Sequence, residues 1–191
     1  MLKKLRFRFV GIAMLALSIL LLVQTLAVNL ANIYQRDSDT KEILVLIAEN
    51  NGVLPNDYLA DKYNYFSEFF NPFGDVEINI ETPYSTRYFV VEMTKNVVTR
   101  ISTDHIAAVS DEDAFLYASQ VYSNAQPGFG FVDVYRYFYM QRGNRSLIVF
   151  MDFQKEIETI FTMASISIFV SLIAMLVLLF PIYWLSKLAM R

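Results

Sequence analysis

The chain has 191 residues, 16 of them Lys or Arg and 19 Asp or Glu, with one His, no Cys and a formal net charge of −3. The absence of cysteine excludes disulfides and thiol chemistry, and the acidic balance argues against a nucleic-acid partner. The charges are also unevenly placed. No charged residue or His occurs in Phe9–Gln35 or Thr159–Ser186, every acidic residue lies between these runs, and only Lys3, Lys4, Arg6, Arg8, Lys187 and Arg191 lie outside them.

Each run is about 27 residues long, more than the roughly 20 a helix needs to cross the hydrocarbon core of a bilayer. The positive-inside rule places both basic ends in the cytoplasm and exports the segment between. That segment carries ten basic and 19 acidic residues, hence −9. The expected organisation is a cytoplasmic start (1–8), a first transmembrane helix (9–33), an extracytoplasmic domain (34–158), a second transmembrane helix (159–185) and a cytoplasmic stub (186–191). The basic ends are accounted for by topology and anionic lipid. The first run exceeds the roughly 7–15 apolar residues of a signal core, so an uncleaved anchor is expected despite the tolerable cleavage site at Thr25-Leu26-Ala27. About 125 exported residues suffice for one apolar core.

After the first run, Ile43, Leu44, Leu46 and Ile47 recur at helical spacing before Asn50-Asn51-Gly52, so the membrane helix is expected to run on and stop near Gly52. The aromatic stretch Tyr58–Phe73 is ambiguous between a short helix and a cover segment. Arg87–Thr94 alternates as a strand, with Phe89, Val91 and Met93 on one face and Tyr88, Val90 and Glu92 on the other. Lys95-Asn96 fits a tight turn, and Val97–Ser102 returns. Ser110 is a good N-cap, with Asp113 in the capping-box position and a buried stripe expected at Phe115, Ala118 and Val121. Asn124–Gly130 reads as a loop. Phe131–Gln141 and Ser146–Phe153 read as two strong strands joined by the turn at Arg142–Arg145. The fold class expected is an α+β membrane protein, with two transmembrane helices flanking a PAS-like extracytoplasmic domain built on an antiparallel sheet.

The basic start and span, Glu81-Thr82-Pro83-Tyr84-Ser85-Thr86-Arg87-Tyr88-Phe89, Thr103-Asp104-His105-Ile106-Ala107-Ala108-Val109-Ser110, Ser146-Leu147-Ile148-Val149-Phe150-Met151-Asp152 and the second span together resemble the sensor half of Gram-positive two-component histidine kinases. The resemblance covers essentially the whole chain. It implies a transmembrane sensor that passes an extracellular stimulus to a cytoplasmic kinase. Such kinases continue into a helix bearing the phosphorylated His and an ATP-binding domain. This sequence contains neither, so it is expected to be a fragment of such a kinase or a free-standing relative of its sensor half. A response regulator would be reached only through that kinase region.

Among the exported residues, His105 beside Asp104 could titrate near neutral pH; the alternative is a loop His bonded to backbone. Arg87, Tyr88, Arg136, Tyr137 and Tyr139 would lie on neighbouring strands and could bind a carboxylate, phosphate or small polar ligand; the alternative is a structural ion pair, such as Arg136 with Asp133 or Glu92. Tyr58–Phe73 could be a lid or recognition patch instead of a core cap. Gly128-Phe129-Gly130 lacks the Lys-Ser or Lys-Thr of a phosphate loop. No catalytic cluster, metal site or cofactor is expected.

In the membrane, Gly11, Leu15, Ser18, Leu22, Thr25 and Asn29 recur at four- and three-residue steps with Gln24 close by. Ala164, Ser167, Ser171, Ala174 and Leu178 form a second stripe. Such stripes allow close helix approach, or their hydroxyls bond back to their own helix; the first reading implies a four-helix bundle in a homodimer. Phe153, at the end of the last strand, and Pro181, near the inner end of the second span, are the expected signal-coupling positions. The other function class consistent with these features is a non-signalling, membrane-anchored binding or scaffold protein of the cell envelope.

Overall fold

The computed structural model describes residues 2–54, 82–95, 97–124 and 126–189. The aromatic stretch Tyr58–Phe73 and Asn96 of the expected turn lie outside the described residues. The element order is α1 (Leu2–Glu49), α2 (Thr82–Ser85), β1 (Tyr88–Thr94), β2 (Val97–Ser102), α3 (Asp111–Asn124), β3 (Gly128–Val132), β4 (Tyr135–Arg142), β5 (Arg145–Asp152) and α4 (Gln154–Ala189). The chain divides into two units, one formed by Met1–Tyr34 with Ile157–Arg191 and the other by Gln35–Glu156.

The second unit is α+β, and its five strands form an antiparallel sheet of order β2-β1-β5-β4-β3. The stretch Phe131–Gln141, expected to be one strand, is divided between two. Asp133 adopts φ 52°, a left-handed conformation that Asp tolerates better than most residues. The chain reverses there, so that Val132 pairs with Tyr135. The aromatic and β-branched residues on both sides of the reversal have equal strand propensity, which hides the turn from a propensity reading. Gly128–Gly130, expected in a loop, therefore belongs to β3.

Alternation along β1 buries both of its faces. Phe89, Val91 and Met93 join Ile148 and Phe150 of β5 under α3, whereas Tyr88 and Val90 join Val149 and Met151 under the last turns of α1. α3 lays Ala114, Ala118 and Val121 on the sheet. Phe115, expected in that stripe, is 46% exposed, because the small Ala114 occupies the inward phase and leaves Phe115 one position round the helix. Ser110 caps α3 by a reciprocal box. Its Oγ accepts from the Asp113 N–H at 3.1 Å, while its own N–H donates to the Asp113 carboxylate at 3.2 Å. The Ser110 hydroxyl also donates to the Asp113 carboxylate at 2.6 Å, and this bond, with the one from the Ser110 N–H, holds the Asp113 carboxyl below its ordinary value.

On the opposite face, Ile43, Leu44, Leu46, Ile47 and Ala48 of α1 are buried. Leu44 and Ile47 are fully inaccessible, and burying each stabilises the docked helix by about 1.5–3 kcal/mol. The helix stops where Asn51 and Gly52 turn left-handed, at φ 57° and 86°, and the Gly52 N–H closes on the Ile47 carbonyl at 2.7 Å. A side chain at Gly52 would press on Val90 Cγ1 at 2.9 Å, so both backbone conformation and space call for glycine.

Candidate functional site

The residues expected to line a common ligand site are separated by the sheet. In β4, Tyr135, Tyr137 and Tyr139 point into the α3-side core. Phe138 and Met140 pack in the α1-side core, and Arg136 reaches α1 itself. Tyr137 and Tyr139 are buried. The Tyr137 ring lies against the backbone of Gly130, where a Cβ would overlap it, and the Tyr139 hydroxyl is 3.5 Å from Ser146 Oγ. Tyr88 lies in the α1-side core. Arg87 precedes β1 and pairs with Asp152 at 3.0 Å.

His105 stacks on Tyr88, with ring centroids 4.4 Å apart and planes 13° from parallel. The Tyr88 hydroxyl accepts the Leu54 N–H at 3.2 Å. Burial pushes the Tyr88 phenol above its ordinary value, and the bond from Leu54 partly opposes it. Asp104 accepts from Ser102 Oγ at 3.1 Å, and Arg100 reaches the Asn51 carbonyl at 2.9 Å. Sequence-expected Tyr88, His105 and Asp104 thus gather beside the end of α1, while Tyr137 and Tyr139 lie beneath the other face. The chemistry available in the first group is ring stacking and hydrogen bonding.

Arg136 occupies a different setting from either ion pair expected for it. Its guanidinium meets Asp37 of α1 at 3.0 Å and lies over the Phe131 ring, 4.2 Å from the centroid, with the Phe129 ring at 5.9 Å. Asp133 lies at the β3–β4 reversal and near the Tyr117 hydroxyl at 3.4 Å. Glu92 is held instead by Arg145, whose Nη2 donates to Oε2 at 2.8 Å. That hydrogen bond lowers the Glu92 carboxyl below its ordinary value, outweighing the opposing effect of burial. The Arg136 side chain is only 9% exposed, and its Nε finds no hydrogen-bond partner among the described residues. A buried guanidinium between two rings gains cation–π attraction, and Asp37 balances its charge. Lys41, one helical turn on, also binds Asp37 at 2.6 Å and stands 5.8 Å from the Phe129 centroid.

This cluster touches the exit of the domain as well as its entry. Phe131 meets Phe153 edge-on at 5.5 Å, and the Phe153 N–H donates to the Val134 carbonyl at 3.0 Å. Phe153 is the single residue between β5 and α4. The N–H of Gln154 is capped by Asp152 Oδ1 at 3.0 Å, which gives α4 a built start at the strand end. A chain of direct contacts therefore runs from Asp37 on α1 through Arg136 and Phe131 to Phe153. Asp37, Lys41, Phe129 and Phe131 were not singled out from the sequence. The available signals were the four-residue Asp37–Lys41 spacing and the Phe-Gly-Phe alternation beside Arg136 in the next strand.

Among the described residues two helices are long and apolar enough to cross a membrane, with candidate spans within Arg8–Glu49 and Gln154–Trp184. Thr25 Oγ1 and Ser171 Oγ bond across them at 2.9 Å, and Ser18 reaches Met175 Sδ at 3.6 Å while also bonding to the Met14 carbonyl. Ala164, Ser167, Ser171 and Ala174 are partly covered, whereas Gly11, Leu15, Leu22 and Gln24 are exposed. The first-helix stripe is therefore divided: Ser18, Thr25 and Asn29 lie on the covered side, and the rest do not. Ser167 bonds back to the Met163 carbonyl at 2.8 Å. Pro181 lies inside α4 and deprives that turn of one backbone donor.

Among the described residues no group of three His, Cys, Asp or Glu side chains is placed to hold a metal ion. In comparisons with known proteins, no family model, no curated protein and no solved structure matches this chain.

Proposed function

We propose that this chain is the sensing and membrane-spanning region of a two-component histidine kinase. In this reading its PAS-like domain is extracytoplasmic and both ends are cytoplasmic. The charge partition around the two apolar runs supports that topology, and the sheet with helices on both faces is compatible with a PAS-like domain. The observation that carries the reading is the joint at Phe153, where one residue separates the last strand from a helix long and apolar enough to span a membrane. In this reading a shift of the strand would reach the helix through that single residue, whereas a long loop would absorb it.

The entry is tied to the same cluster as the exit. Asp37 on α1 is tied to Arg136, and Phe131 links that residue to Phe153. A stimulus that favours one of two sheet arrangements would displace α4 against α1, and Pro181 would localise bending near the cytoplasmic end. The output would be a kinase region that acts on a response regulator. In a homodimer, the exposed Gly11, Leu15 and Leu22, which share one face of α1, would offer the second copy an apolar strip with close approach at Gly11.

The test is a fusion of residues 1–191 to the cytoplasmic core of a two-span sensor kinase. One or two glycines inserted between Phe153 and Glu156 are expected to uncouple or invert output while membrane insertion is retained. Output indifferent to those insertions would refute the coupling.

A further inference from the structure

α3 and the edge of the sheet leave an apolar groove that none of the contacts above uses. It is an open cleft of about 420 Å³ lined by Val98 and Ile101 of β2 and by Asp111, Glu112, Phe115 and Leu116 of α3. An irregularity in the pairing of β1 with β2 shifts the register between Glu92 and Met93. As a result Val98 and Ile101, three positions apart, both turn toward the α3 side. Phe115 is 46% and Leu116 62% exposed, an unusual concentration of large apolar side chains beside a helix whose inward face is already satisfied by alanines.

Asp111 and Glu112, of the acidic first turn of α3, also line the cleft and make part of its rim acidic. Asp111 is partly engaged by Thr103 Oγ1 at 2.9 Å, and Glu112 is exposed. A ligand must therefore bring apolar groups for Val98, Ile101, Phe115 and Leu116 together with positive charge for the acidic part of the rim. The −9 charge of the segment between the spans repels anionic lipid and nucleic acid. In a symmetric contact between two copies through this face, each acidic turn would meet the like-charged face of its mate.

We infer that the cleft between β2 and α3 binds a cationic amphipathic peptide. Its apolar side chains lie between Val98–Ile101 and Phe115–Leu116, and a Lys or Arg meets Glu112. The inference deepens the sensing role proposed above by naming the class of ligand. Its test reads binding alone, so failure of kinase output and failure of binding are separate results.

The full chain, reconstituted in phosphatidylcholine nanodiscs, is titrated against a fluorescein-labelled peptide of alternating Lys and Leu, with empty discs as the blank and fluorescence anisotropy as the readout. Saturable binding above the blank is expected, weakened at least tenfold when Glu replaces Lys in the peptide. Glu112→Lys and Leu116→Asp are each expected to weaken binding about tenfold. Glu49→Lys, an equal charge change at the exposed end of α1, is expected to stay within twofold of the unsubstituted chain. Both groove side chains are exposed, and thermal melts followed by circular dichroism verify folding; if Leu116→Asp does not fold, Glu112→Lys carries the test with the paired peptides. Binding no greater than to empty discs would overturn the inference. So would an equal loss in Glu49→Lys and Glu112→Lys, or full affinity in a folded Leu116→Asp.

Discussion

The Arg136–Asp37 pair predicts a characteristic asymmetry between its two single substitutions. At the 3.0 Å contact distance and an effective dielectric of about 20, the Coulomb attraction is about 5 kcal/mol. Removing the guanidinium from water costs several kcal/mol, and Asp37, 31% exposed, is partly screened. A net coupling of about 2 kcal/mol remains. Asp37→Ala leaves a buried guanidinium without its counter-charge and with Nε already unpartnered, and should destabilise the domain by about 2–3 kcal/mol. Arg136→Met removes the charge but keeps an unbranched side chain against Phe129 and Phe131, while Asp37 retains Lys41; it should cost about 1 kcal/mol. The double variant should cost about 2 kcal/mol less than the sum of the two. Urea unfolding of the full chain in nanodiscs, read by pulse proteolysis at 25 °C, measures all three. Equal single costs, or a coupling within about 0.3 kcal/mol of zero, would refute the account of Arg136 as a buried charge balanced by Asp37.

Two further predictions concern the strand ion pair and the membrane helices. Arg145 holds the Glu92 carboxyl below its ordinary value, so the pair's stabilisation is fully present above the unfolded-state value of about 4.3. It is lost as pH falls through the lower folded value. Unfolding midpoints measured from pH 7 to pH 3 should therefore decline less steeply at the acid end in Glu92→Gln than in the unsubstituted chain, and parallel curves would contradict this. In the cysteine-free chain, Thr25→Cys with Ser171→Cys should crosslink within one molecule under mild oxidation, because their hydroxyls lie 2.9 Å apart. Val23→Cys, on the exposed side of α1, should not crosslink to the same partner, and intact-mass analysis after alkylation distinguishes the two.

Much of the element order was legible because the local signals agreed with one another. The uncharged runs, the Ser110–Asp113 box, the Gly52 stop and the alternation in β1 each depend on residues within a few positions of one another. The reversal at Asp133 was hidden because aromatic and β-branched residues favour a strand on both sides of it, and the turn depends on one left-handed Asp. In α3 Ala118 and Val121 are buried as expected, and only the first member of the stripe differs: hydrophobicity favours Phe115, while packing against the sheet favours Ala114.

The candidate site was less legible than the fold. The sequence offers Arg136, Tyr137 and Tyr139 as candidate ligand residues on neighbouring strands, but alternation sends Arg136 and the two tyrosines to opposite sides of the sheet. Only the docking of α1 brings Asp37 within 3.0 Å of Arg136 across about 100 residues of sequence. The cleft between β2 and α3 likewise depends on a register shift that no local pattern announces. The uncharged runs, the charge partition and the helix ends follow from local sequence, because hydropathy, net charge and capping are sums over neighbouring residues. Tertiary structure alone decided which charges meet and which apolar side chains stay uncovered, because those outcomes depend on sheet order and on the rotational phase of each docked helix.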